Sequence, residues 1–175
     1  ISSPSSLHYK DFKESINLSK NFIIEKPLSN NIKDAKKIYT LAKYKKLKVI
    51  VGYNLLFDEK IQYLNKFLIA NKSPIQHINI ECQSFLPEWR KNIYYKNTVS
   101  AKRELGGGVL LELSHEISYL IYLFGNIKKF FEIIINSNNM KINVEDIVEL
   151  ILITKNNIFI RINLNFNSRI LKRKC

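Results

Sequence analysis

Residues 21–29 read NFIIEKPLS, an apolar run of strand length closed by an acid, a base and a proline. Phe22, Ile23 and Ile24 form the buried-strand pattern, and Glu25-Lys26-Pro27 stands where that strand gives way to a loop. In α/β proteins ligands bind at the carboxyl ends of parallel strands, so the meaning of the triplet depends on its neighbours. A lysine enclosed in such a cleft loses solvation and becomes suited to proton transfer or to holding a hydroxyl. Pro27 fixes the turn, and its X–Pro bond permits a cis geometry that few other residues tolerate. The same three residues also fit a solvated loop.

Working outward, the first 52 residues alternate in type. ISS at the start reads as the tail of a strand, and LHYKDFKESINLSK has helical spacing with Leu7, Phe12 and Ile16 on one side. Ser29 is the expected N-cap of a helix reaching about Lys46, with Ile32, Ala35, Ile38, Tyr39 and Ala42 at the helical period. KVIVGY at 48–53 is a second buried strand. Strands alternating with helices at this spacing imply right-handed crossovers and a parallel sheet.

Beyond Tyr53 the pattern changes. A helix is expected over 58–71, with Ile61, Leu64, Phe67 and Leu68 inward, and a strand over 78–86. A polar loop, PEWRKNIYYKNTVSAKREL, leads to Gly106-Gly107-Gly108 and a helix stopped by Gly125. KFFEIIIN, EDIVELILIT and NIFIRINLNF then read as strands. In the last, Ile158, Ile160, Ile162, Leu164 and Phe166 alternate with Phe159, Arg161, Asn163, Asn165 and Asn167, the mark of a half-buried strand in a largely antiparallel sheet. RILKRKC presents no clear final element. The expected architecture is therefore α/β followed by α+β. Residues 1–52 form the C-terminal part of a Rossmann-like parallel sheet, and 53–175 an incomplete open, mainly antiparallel sheet domain with helices on one face.

Composition narrows the classes. Of 175 residues 46% are hydrophobic, enough for a sizeable core. No apolar run approaches the roughly 20 residues of a membrane span, and no secretory signal pattern opens the chain. It begins with Ile rather than Met, as a fragment or processed product does. Cys82 and Cys175 lie too far apart in sequence for a disulfide framework or zinc spacing, so no metal site is expected and a cytoplasmic, reducing setting is. The net charge of +13 comes from 28 Lys and Arg against 15 Asp and Glu. It is spread over helix-like stretches rich in Lys, without the aromatic platform or recognition helix of a nucleic-acid binder.

Two further constellations carry chemistry. In GGGVLLELSHEISYLIYLFG, residues 106–125, Leu113, Ile117, Leu120, Ile121 and Phe124 share one helix face, and Glu112, His115, Tyr119 and Tyr122 the opposite one. An acid and an imidazole one turn apart can share a substrate hydroxyl, and the glycines let backbone approach a ligand closely. An exposed polar face gives the same pattern. Pro87-Glu88-Trp89-Arg90, followed by Tyr94 and Tyr95, can stack on a planar ring and bind phosphate or carboxylate, or can be a loop anchored by its Trp.

Together these stretches resemble the glucose–fructose oxidoreductase / inositol dehydrogenase (Gfo/Idh/MocA) family. ISSPSSLH resembles its strand-end segment, NFIIEKPLS its Glu-Lys-Pro signature, and VGYNLLFDE the opening of its second domain. WRKNIYY and ELGGGVLLELSHEISYLIYLFG resemble its substrate-side loop and helix, and VEDIVELIL a later strand. Order and spacing agree over nearly the whole chain. The resemblance implies an oxidoreductase dependent on NAD or NADP, acting on a sugar or nucleotide sugar. Catalytic roles fall on Lys26, His115 and Glu112, and cofactor contacts on Pro4, His8, Glu25, Lys26, Pro27, Asn54, Trp89 and Arg90. Substrate contacts fall on Lys26, Tyr95, Glu112 and His115. Three positions depart from the family pattern: Leu111 and Ser118 replace acids flanking the histidine, and Leu56 replaces a frequent Arg. The resemblance also places the family's Gly-rich phosphate loop before residue 1, since no GxGxxG occurs here. The alternative is an inactive remnant or scaffold associating as a homo-oligomer through its open sheet. Neither reading involves nucleic acid or membrane.

Overall fold

The computed structural model describes residues 1–71 and 74–175. In the first part, α1 (His8–Ser15), β1 (Asn21–Ile24), α2 (Ile32–Tyr44) and β2 (Lys48–Val51) follow in order. β1 and β2 pair in parallel, Asn21 opposite Lys48 and Ile24 opposite Val51. Residues 1–3 run along the other edge of β1: the Ile1 amino group donates to Ile23 O (2.7 Å), and the Glu25 N–H donates to Ile1 O (2.8 Å). The strand tail read in ISS is therefore present as a backbone pairing. α1 and α2 cover one face, with Phe12, Phe22, Ile24, Ile38 and Ala42 buried between the layers and Phe12 edge-on to Phe22 at 5.0 Å. Each of the Phe and Ile side chains removed from water stabilises by roughly 1.5–3 kcal/mol.

The second part holds α3 (Glu59–Ala70), β3 (His77–Phe85), α4 (Val109–Glu112), α5 (His115–Phe124), β4 (Ile127–Ile135), β5 (Ile147–Thr154), β6 (Phe159–Asn165) and β7 (Asn167–Lys174). Its sheet runs β4-β5-β6-β3-β7, with β3 and β6 parallel and the other pairs antiparallel. Ile80, Ile160, Ile162 and Leu164 lie fully buried on the inner face beneath Leu120 and Val109, while Asn163, Glu149 and Arg161 link up on the outer face. The alternation read from NIFIRINLNF is the alternation observed.

Several local expectations give way. The cap of α2 is Asn31, not Ser29: its Oδ1 accepts from the Asp34 N–H at 2.9 Å. Ile32 and Tyr39 point to solvent, because Ile38 and Ala42 alone face the strands. Phe67 is likewise exposed, while Ile61 and Leu68 reach the core edge. The tail RILKRKC forms β7, whose basic residues mask its period. They meet acids from other elements, Lys172 on Glu81 (2.7 Å) and Arg173 on Glu116 (2.8 Å). The polar loop is a series of 3-10 turns, Leu86–Glu88, Tyr95–Asn97, Val99–Ala101 and Arg103–Leu105, burying Thr98, Ser100 and Ala101.

The helix expected after the glycines is two helices. Leu113 leaves helical geometry and the axis restarts at His115, which shifts the facing of everything beyond. Tyr119 is buried in the core rather than aligned with His115, and Ile121 is half exposed. The glycines also serve a different purpose from ligand approach. A Cβ on Gly107 would collide with the carbonyls of Val99 and Ser100, and one on Gly108 (φ 114°) with the Glu145 carboxylate. The chain itself fills the space that glycine frees.

Candidate functional site

Both parallel strands deliver their carboxyl ends to the junction between the two sheets. Lys26 and Pro27, joined by a cis peptide bond, follow β1; Gly52 and Tyr53 follow β2. His8 sets the inner side of the β1 turn from α1. It is buried, with Nδ1 facing the carbonyls of Pro27 (3.1 Å) and Leu28 (3.3 Å) and Nε2 facing Ser3 O (2.8 Å). Its ring shapes the loop from within. Pro4 begins the turn into α1, accepting from the Leu7 N–H at 2.8 Å. Glu25 curls back on the turn, with Oε2 3.3 Å from the Lys26 N–H and its carboxylate against Gly52.

Lys26 crosses to the second sheet's helices. Its Nζ donates to the Glu112 carbonyl at 2.8 Å and to Glu112 Oε2 at 3.5 Å. Both side chains are largely enclosed, 17% and 21% exposed, so the ion pair is shielded from bulk water. An ammonium has three N–H donors, and this geometry leaves one for a further acceptor.

His115 opens α5 one break beyond Glu112, its ring edge-on to Tyr53 at 5.6 Å and 86°. Nδ1 is buried without a hydrogen-bond partner among the described residues. Burial first, then the positive charges of Lys26 and Arg173, push its pKa down to about 4, with Glu25 opposing weakly. At neutral pH the ring is therefore uncharged, with a free lone pair or N–H on an otherwise unengaged nitrogen. Among the described residues no three His, Cys, Asp and Glu side chains converge as a metal set, and no helix is long and apolar enough to cross a membrane.

The sequence-derived candidates separate into two groups. Glu25, Lys26, Pro27, Glu112 and His115 come together at the junction, and Asn54, exposed, starts the 3-10 turn Asn54–Phe57 beside Tyr53. Trp89, Arg90 and Tyr95 lie elsewhere: no hydrogen bond, ion pair or ring contact joins them to Lys26, Glu112 or His115 among the described residues. Trp89 anchors its loop, with Nε1 donating to Ser84 Oγ (3.0 Å) and its ring edge-on to Phe166 (5.1 Å). The Tyr95 hydroxyl donates to Met140 O at 2.9 Å, so it is already engaged by the backbone. Arg90 is exposed in an open groove of about 750 Å3 beside Lys91, Ile93 and Tyr94. Sequence reasoning missed Tyr53, Glu116 and Arg173. Tyr53 ends its strand beside the cluster and could have been found there, whereas Arg173 is tied in only by a contact 57 residues away.

Comparison with known proteins agrees with the two-part fold. Residues 1–53 match the family model described as "Oxidoreductase family, NAD-binding Rossmann fold", and residues 79–172 match "Oxidoreductase family, C-terminal alpha/beta domain". An uncharacterized oxidoreductase of Synechocystis sp. is 31% identical over 126 residues, 71% of this chain and 33% of that protein. The WlbA dehydrogenase of Bordetella pertussis, solved with NADH and UDP-GlcNAcA, superposes with a TM-score of 0.85 at 19% identity, over 97% of this chain and 48% of that one. An aldose-aldose oxidoreductase of Caulobacter crescentus, solved with glycerol, gives 0.82 at 19% identity, over 95% and 49%. The chain thus spans a third to a half of the length of these relatives. With both halves matched in order by the family's two models, the chain belongs to the Gfo/Idh/MocA oxidoreductase family.

Proposed function

We propose that the protein is an NAD(P)-dependent oxidoreductase that interconverts a hydroxyl and a carbonyl on a sugar or nucleotide sugar. The observation that carries this reading is the enclosed Lys26–Glu112 contact beside a neutral His115, at the carboxyl edge of a parallel strand pair. Glu25, Lys26, Pro27 and Asn54 would hold a nicotinamide cofactor there, with Pro4 and His8 shaping the loop beside it, and the cofactor would supply hydride chemistry. The fit rests on the strand-end cleft and on the unengaged His115 Nδ1.

In the oxidative direction the remaining N–H of Lys26 donates to the substrate oxygen and stabilises the negative charge that grows on it as the hydroxyl loses its proton. His115, uncharged, accepts that proton; Glu112 keeps Lys26 aimed. The carbon gives up a hydride and the oxygen a proton, leaving the carbonyl; reduction reverses both. A ring pulled to a pKa of about 4 releases its proton readily, so His115 is a relay rather than a reservoir. The relatives solved with a nucleotide sugar and as an aldose enzyme support the sugar class. Arg90, Lys91 and Tyr94 form the groove suited to a substrate anion and a stacked ring.

The test is Lys26→Met in the protein as the cell makes it, with turnover of NAD(P) and uridine diphosphate sugars followed at 340 nm and cofactor binding followed by fluorescence. Turnover is abolished while cofactor binding stays largely intact; unchanged turnover removes Lys26 from the mechanism.

The second reading, association with a second copy through the outer sheet face, is favoured by exposed Phe131, Ile133, Ile151 and Phe159 on neighbouring strands. Phe131→Glu with Ile133→Glu should lower the sedimentation mass to that of a monomer, and an unchanged mass excludes this face as the contact.

A further inference from the structure

Glu116 follows His115 in the first turn of α5 and is fully buried. Its Oε1 accepts from Arg173 Nε at 2.8 Å; Oε2 has no partner among the described residues. Arg173 comes from β7, where it stands opposite Cys82 of β3, and its side chain is half exposed. A buried carboxylate satisfied at one oxygen depends heavily on the single cation that meets it. The start of α5 depends on the same contact. Ser114 makes no side-chain cap, and in the first turn the Glu116 N–H is met by the Leu113 carbonyl at a long 3.3 Å, so this end of the helix is held by one stretched backbone bond rather than by a cap. A carboxylate within that turn is favoured by the helix dipole, and the guanidinium ties it to the sheet.

Two ion pairs therefore flank His115 in the chain, at Glu112 and at Glu116. Lys26 comes to Glu112 from the end of β1, and Arg173 comes to Glu116 from β7, and both cations act on the His115 ring. Among the described residues His115 is also faced by Glu25 beyond β1 and the Tyr53 ring beyond β2, while Cys82 and Tyr119 lie near Glu116. Burial, with Glu116 close by, pushes the Cys82 thiol up to about 11, so it remains a neutral packing group.

We infer that Glu116 and Arg173 are positioning residues: the ion pair between buried Glu116 and half-exposed Arg173 fixes the first turn of α5 to β7 and so holds His115 in place beside Lys26. The kinetic consequence rests on the oxidoreductase reading, but the placement of His115 is measured without turnover. β7 is thereby tied to the site through Glu116, although among the described residues none of its side chains hydrogen-bonds to Lys26, Glu112 or His115. Arg173 also adds the second of the two cations that keep the ring uncharged.

The experiment compares wild type with Arg173→Met and with the double variant Glu116→Leu/Arg173→Met. The single change strands a buried carboxylate and can prevent folding. The double change replaces the pair by apolar groups of similar size, a swap that is often neutral or stabilising. Proton NMR titration of His115, its nuclear Overhauser contacts to Tyr53, urea unfolding and turnover with a nicotinamide cofactor are all recorded. The expected result is a double variant that unfolds as the wild type does, yet whose His115 midpoint moves upward from about 4 and whose Tyr53 contacts weaken. Turnover falls on the order of tenfold to a hundredfold, from misplacement of the imidazole. A double variant with wild-type His115 midpoint and Tyr53 contacts overturns the inference and leaves the pair a packing feature. Absence of turnover in the wild type as well overturns the enzymatic reading instead, and the NMR result still decides the positioning.

Discussion

Acidification should unfold this chain partly through one imidazole. His115 has a folded-state pKa of about 4 against an ordinary 6.5, because burial and two cations disfavour its charged form. The unfolded chain therefore takes up the proton first. Above pH 6.5 neither state is protonated and His115 contributes nothing. Between 6.5 and 4 the unfolded state gains an advantage that grows with each pH unit, and below 4 the loss is complete. A gap of about 2.5 pH units at about 1.4 kcal/mol per unit gives about 3 kcal/mol. That is a large share of the roughly 5–15 kcal/mol that ordinarily separates folded from unfolded.

The assay is urea unfolding at half-unit intervals from pH 7.5 to 4, for wild type and His115→Gln. Other groups titrate in the same window. Asp34, Glu81 and Glu104 have lowered pKa values through hydrogen bonds from Lys37, from Lys172, and from its own backbone N–H, respectively. Their stabilisation is also lost as the pH falls, but equally in both proteins, so the difference between the two curves isolates His115. Wild type should lose about 3 kcal/mol more than the variant between pH 6.5 and 4. Lys26→Met should shrink that difference, since Lys26 is the larger of the two charges acting on the ring. Parallel curves for wild type and His115→Gln would refute the buried, neutral imidazole and the account of the site built on it.

Three further outcomes test the fold around the site. Leu120→Ala empties a fully buried position of α5 against the sheet and should cost about 2–5 kcal/mol, read as a lower urea midpoint at unchanged slope. Asn31→Ala should cost about 1 kcal/mol through loss of the α2 cap, while Ser29→Ala changes the midpoint little; the reverse order would restore Ser29 as the cap. Gly108→Ala should destabilise by about 1–3 kcal/mol, since φ is 114° and the new methyl meets the Glu145 carboxylate, and the same assay reads it.

What the sequence disclosed divides along a physical line. Strand positions 21–24 and 48–51, the alternation along β6 and the stop at Gly125 were legible because each depends on side chains within a few residues of one another. The Glu25-Lys26-Pro27 turn could be placed at the carboxyl end of a parallel strand for the same reason: a short apolar strand ending in charge is a local pattern. The break at Leu113 was not legible. VLLELSHEISYL reads as one unbroken amphipathic helix, and its interruption comes from tertiary neighbours: Glu145 against Gly108 at one end and Arg173 on Glu116 at the other. Once the axis restarts at His115, a stripe drawn across the break assigns Tyr119 to the wrong side.

The glycine run shows the same limit more sharply. Three glycines before a helix fit close approach by a ligand, and nothing local separates that use from close approach by the chain itself. The structure gives them to the chain: Ser5 and Asn30 of the first part crowd Gly106, the Val99 and Ser100 carbonyls crowd Gly107, and Glu145 crowds Gly108. Glu145 turns its Oε1 toward the Leu110 N–H at 3.3 Å, which places an acceptor at the start of α4 that no neighbouring residue supplies. The glycines therefore act on the site at one remove. By letting four protein segments close on them, they fix where α4 begins, and α4 ends three residues later at Glu112, where Lys26 is held. Any side chain at Gly107 or Gly108 should move that end of the helix. Such a change would appear as altered pairing of Lys26 before it appeared as lost contact with any ligand.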